Sequence, residues 1–169
     1  MIRDLLTGGN RRSLGRSRLA VEKVSRETDL FGELITCLLD DDRVVCMRAA
    51  DAAEKISREK PFLLQTYKHA LLGLLREARQ KELRWHLALM IPRLNLTAAE
   101  RDRAQEALVA YLEDRSSIVK TFAMQGLADL ARQAPEIFEE VIDRLRILTR
   151  TGTPAMKARG RKLLNDLER

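Results

Sequence analysis

The chain has 169 residues, 45% hydrophobic and 33% charged, with only 4 Pro and 8 Gly, a balance that excludes disorder of the whole chain and predicts a helix-rich protein with one core. No run approaches the roughly 18 apolar residues that span a membrane, and MIRDLLTGGNRRS lacks the apolar stretch and cleavage site of a secretory signal, so a cytoplasmic protein without a membrane partner is expected. The net charge of +6 divides into +5 over residues 1–26, −5 over 27–143 and +6 over 144–169, which fits an acidic partner or simply solubility.

Residues 1–12 carry Gly8, Gly9 and Asn10 as a breaker and read as a mobile N-terminal arm or a short helical stub, with a single domain over residues 13–169. The first helical frame sets Ser13, Ser17, Ala20, Val21 and Val24 on one face. Asp29 is placed to cap a helix carrying Leu30, Phe31, Leu34, Ile35, Leu38 and Leu39. Asp40, Asp41 and Asp42 end that helix and start the next; they lack the alternating acids, turn glycine and distal glutamate of a calcium loop. Cys37 and Cys46 flank this turn and read as two buried or half-buried thiols in a reducing compartment.

The next helix presents Val45, Ala49, Ala52, Ala53 and Ile56 on one face. Pro61 opens a helix with Phe62, Leu63, Tyr67, Ala70, Leu71, Leu74 and Leu75. A charged turn leads to the frame Leu83, Leu87, Met90, Ile91, Leu94, which Pro92 should kink or end. Thr97 with Glu100 forms a capping box for a helix through Leu112, and the turn EDRSS leads to Val119, Ala123, Gly126, Leu127 and Leu130. Pro135 opens a helix with Ile137, Phe138, Val141, Ile142, Leu145 and Leu148. Thr153 and Pro154 then start the last frame, Met156, Gly160, Leu163, Leu164 and Leu167.

The frames begin at residues 13, 45, 83, 119 and 156, in steps of 32, 38, 36 and 37. Near-constant recurrence of one helical face predicts stacked repeats, because a single such unit cannot bury its apolar face alone. The segments VCMRAADAAEKI, LRWHLALMIPRL, VKTFAMQGLADL and MKARGRKLLNDL, with Pro61 and Pro135 at the starts of first helices, resemble the HEAT family of helical repeats. The resemblance covers about residues 13–168 and implies an all-α fold: an α-α superhelix, or solenoid, of about four and a half helical hairpins and roughly nine helices. Ser13, Gly160 and Pro92 depart from its pattern.

No glycine-rich phosphate loop, nucleophile elbow or metal-spaced histidine pair is present; His69 and His86 lie on different predicted helices. Helical-repeat proteins of related build that excise damaged bases need an acid among several aromatics, and one Trp, two Tyr and four Phe form no such cluster here. The reading is therefore a non-enzyme with no cofactor and no metal.

The resemblance implies that second helices line a concave side, where the third and seventh frame places hold Met47 and Asp51, then Trp85 and Leu89. Met47, Trp85 and Leu89 form the apolar centre of a predicted partner-binding face, with Arg48, Lys55 and Arg93 as flanking cations. Two placements of Trp85 follow from the sequence: exposed in mid-groove, or drawn into the core by helix tilt. The cations at the fourth and eleventh places, Arg16, Lys23, Arg48, Lys55 and Arg93, with Arg58 one turn beyond Lys55, give a second reading as phosphate-binding residues of a nucleic-acid module. That row breaks at Phe122 and Asp129. The leading expectation is an adaptor or scaffold that binds a protein partner.

Overall fold

The computed structural model describes residues 1–9, 12–13 and 15–169; Asn10, one of the three breaker residues, lies outside them. Among the described residues the protein is all-helical, with ten α-helices and four short 3-10 segments. The α-helices are α1 (Ile2–Leu6), α2 (Ser17–Arg26), α3 (Phe31–Thr36), α4 (Arg43–Glu59), α5 (Lys68–Glu77), α6 (Lys81–Met90), α7 (Ala98–Tyr111), α8 (Ser117–Gln133), α9 (Pro135–Thr151) and α10 (Pro154–Leu167). Helices α2, α4, α6, α8 and α10 each pack against the next in that series. Helix α3 packs on α4, α5 on α6, α7 on α8, and α9 on both α8 and α10.

The central frames account for this packing. Val45, Ala49, Ala52, Ala53 and Ile56 are all buried, as are Leu83, Leu87, Met90, Ile91 and Leu94 on and just after α6, and Val119, Ala123, Leu127 and Leu130 on α8. Each large side chain so buried stabilises the fold by about 1.5–3 kcal/mol before entropy is counted. A second buried row, Ala50 on α4, Ala88 on α6 and Met124, Ala128 and Ala131 on α8, lets each helix be flanked on both sides. Gly126 sits where an added Cβ would lie 2.5 Å from the Ala88 carbonyl oxygen, so its bare Cα sets how closely α8 approaches α6.

The polar punctuation is mostly local. The Asp42 side chain accepts a bond from the Val44 amide at 2.8 Å and caps α4, and Thr97 with Glu100 closes a reciprocal capping box on α7. Ser116 and Thr153 cap α8 and α10. Pro92 falls in a 3-10 turn, Ile91–Arg93, that ends α6; Pro135 and Pro154 begin α9 and α10.

Four expectations are corrected. Asp29 does not cap α3, which has no side-chain cap and follows a 3-10 turn, Thr28–Leu30. Pro61 opens a 3-10 segment, Pro61–Tyr67, before α5, and Phe62 is left 68% exposed, as is Leu39. Ser13 lies before α2 and is exposed, so the first frame begins at Ser17. Of the two forms expected for the opening residues, the structure shows the helix: α1 packs on α2, α3 and α4 with Ile2 and Leu6 wholly buried, which raises the helix number from nine to ten.

Candidate interaction face

Trp85 takes neither placement expected for it. It is half-buried on α6, its ring stacked on His86 of the same helix and on Phe122 of α8, with centroids 5.0 Å apart and planes 23° from parallel. The Arg159 guanidinium of α10 lies 5.2 Å from the centre of the Phe122 ring, within cation–π range. Arg159 also donates to Gln125 at 2.7 Å, and Gln125 donates to Asp129 at 3.0 Å. One continuous row thus crosses three helices: Trp85, Phe122, Arg159, Gln125, Asp129. Burial pushes the Asp129 carboxyl above the usual carboxylate range, with Gln125 and Arg132 pulling the other way.

Leu89, one turn from Trp85 on α6, and Met47 on α4 are half-buried. His86 is almost wholly buried and its Nδ1 faces the Glu82 carbonyl oxygen; Nε2 lies 3.7 Å from the Asp51 carboxylate and has no hydrogen-bond partner among the described residues. Burial raises the Asp51 carboxyl, but His86 and the Lys55 ammonium at 2.6 Å outweigh it and hold the carboxyl below its ordinary value.

The predicted flanking cations are engaged within the fold. Arg48 is fully buried, donating to the carbonyl oxygens of Leu6, Thr7, Gly8 and Ser13, so it is corrected from a surface cation to a clamp on the opening residues. Arg93 and Arg58 converge on Glu54, which is 1% exposed; Arg93 also donates to the Glu54 carbonyl oxygen and to the Ser57 hydroxyl. Burial raises the Glu54 carboxyl, and the two guanidinium groups overcome this and depress it. Lys55 pairs with Asp51, and Arg16 donates to the Asp4 carbonyl oxygen at 2.7 Å. Lys23 reaches Glu27 only at 3.5 Å and stays largely solvated.

Comparison with protein-family models and with curated proteins gives no match.

Phe122 and Arg159 were legible only in part. Both occupy the fourth frame place while Trp85 occupies the third, so a rotation of one residue between neighbouring helices brings the three together. Thr121, the third-place residue of α8, is instead buried and donates to the Ser117 carbonyl oxygen. Among the described residues no three His, Cys, Asp or Glu side chains gather as metal ligands, and no helix is long and apolar enough to cross a membrane. Cys37 and Cys46 are free and buried; Cys46 Sγ contacts the Leu38 carbonyl oxygen, and burial pushes its thiol up to about 11.

Proposed function

We propose that this protein is a non-catalytic adaptor, a HEAT-like α-solenoid of about four and a half repeats, that binds a partner protein across α6, α8 and α10. The observation that carries this reading is the half-buried stack of Trp85 and Phe122 under Arg159. Aromatic and arginine side chains held rigid by their neighbours lose little entropy when a partner covers them, and such anchors dominate binding energy. In this reading half-buried Leu89 and Met47 add apolar area, and Arg159, over the Phe122 ring, supplies charge.

The nucleic-acid reading is disfavoured by the same geometry. Phosphate binding needs cations free to replace counterions; of the six cations in that reading, Arg48 is fully buried and Arg93 is bonded to the buried Glu54, while Arg16, Lys55 and Arg58 are exposed but each already bonds a carbonyl or carboxylate, as Lys23 does only at 3.5 Å.

The test is affinity capture with the intact protein, followed by calorimetry with the purified partner. A partner that loses roughly tenfold or more in affinity to Trp85→Ala and Leu89→Ala, with helicity and Tm retained, supports the reading. A partner indifferent to both variants, or DNA or RNA binding that survives physiological salt, refutes it.

A further inference from the structure

A second surface lies between α5 and α7, with Arg84 of α6 at one end. Two adjoining cavities of about 260 and 530 Å³ share Leu75, Arg76 and Arg103 and so form one groove. Among larger lining side chains such as His69, Leu72 and Arg84, small residues open it on both helices. A Cβ added to Gly73, inside α5, would meet nothing within 4 Å, and α7 contributes Ala104, Ala107 and Ala110. Glycine is unfavourable inside a helix, and no close neighbour here requires it.

Leu75 and Tyr111 fix the floor, because the Tyr111 hydroxyl donates to the Leu75 carbonyl oxygen across the two helices. The rim is cationic from both sides. Arg76 on α5 is exposed and, among the described residues, has no ion pair, and Arg103 on α7 bonds among them only the Ala99 carbonyl oxygen, at 3.3 Å. Of the two acids lining the groove, Glu100 is already held by Lys68 and the Thr97 amide, leaving Glu106.

We propose that this groove docks an acidic amphipathic helix of a partner protein. The wall along α7 from Glu100 to Tyr111 is roughly 16 Å long at 1.5 Å per residue, about three helical turns. An extended segment would find no strand edge there to satisfy its backbone, whereas a helix satisfies its own. Small residues on both walls let a third helix approach closely; its apolar stripe covers the floor and its carboxylates meet Arg76 and Arg103.

The probe is a fluorescein-labelled peptide of roughly 12 residues, Leu on one helical face and Glu elsewhere, compared with its scrambled isomer by anisotropy and by amide NMR shifts of the intact protein. The ordered isomer is expected to bind about tenfold tighter and to shift the amides of Gly73, Arg76, Ala107 and Ala110. Arg76→Glu with Arg103→Glu should weaken binding about tenfold, and Gly73→Leu should abolish it while α5 keeps or gains stability. Trp85→Ala should leave it unchanged, which separates this surface from the adaptor face. Equal binding of the scrambled peptide, or binding untouched by Gly73→Leu, overturns the proposal; so does dodecanoate shifting these amides when the peptide does not, which would assign the groove to a small amphipathic anion.

Discussion

Removing the Glu54 carboxylate should destabilise the protein more than any exposed charge would suggest. Glu54 is 1% exposed and receives Arg58 and Arg93. In Glu54→Ala, Arg58, whose side chain is 60% exposed, turns to solvent at little cost, but Arg93, 21% exposed, stays where it is. Its remaining partners are the residue-54 carbonyl oxygen and the Ser57 hydroxyl. A buried pair broken at one end costs about 3–5 kcal/mol, and those two remaining acceptors place this case at the low end, about 3 kcal/mol. For a chain of this size that is a fall in Tm of roughly 6–12 °C.

The assay is thermal and urea unfolding of wild type, Glu54→Ala, Arg93→Ala and the double variant near neutral pH. The double-mutant cycle should give a coupling of about 1–3 kcal/mol. The pH dependence has a definite sign. Because the Glu54 carboxyl is depressed in the fold, its contribution is complete above the ordinary glutamate value of about 4.3 and is lost as pH falls through its folded value. The gap between wild type and Glu54→Gln should therefore hold at neutral pH and close in acid. A coupling below about 0.5 kcal/mol, or a gap that widens in acid, would refute the reasoning.

Gly126→Ala places its Cβ against the Ala88 backbone, which cannot rotate away as a side chain could; the expected loss is about 1–3 kcal/mol, or roughly 2–12 °C in Tm, read by calorimetry. Cys46, buried with its thiol raised to about 11, should react with iodoacetamide at mildly alkaline pH only as fast as the protein opens, and at the rate of a free thiol once urea unfolds it.

The helical frame was legible because burial on one face imposes a period that local sequence must obey. Val45 to Ile56 and Val119 to Leu130 show this, as do the stops and starts at Pro92, Thr97, Pro135 and Thr153. The 3-10 geometry after Pro61 was not legible, since a proline opens either helix type and packing decides which follows. Nor were Arg48 and Glu54. Helical spacing puts a charged residue on a face, but its partners lie 35 to 42 residues away for Arg48, and 39 residues separate Glu54 from Arg93. The aromatic row failed for a related reason: the offset between Trp85 and Phe122 comes from how α6 and α8 are rotated against each other, which neither segment encodes alone.

The clamp formed by Arg48 also has a consequence for the order in which the chain can be built. The carbonyl of Leu6 precedes the guanidinium that holds it by 42 residues, an interval that a ribosome covers in roughly 2–8 s at about 5–20 residues per second. Until then Ile2 and Leu6, wholly buried at the end, have α2 and α3 but not α4 to dock on. Residues 2–6 are thus secured only after α4 has been made.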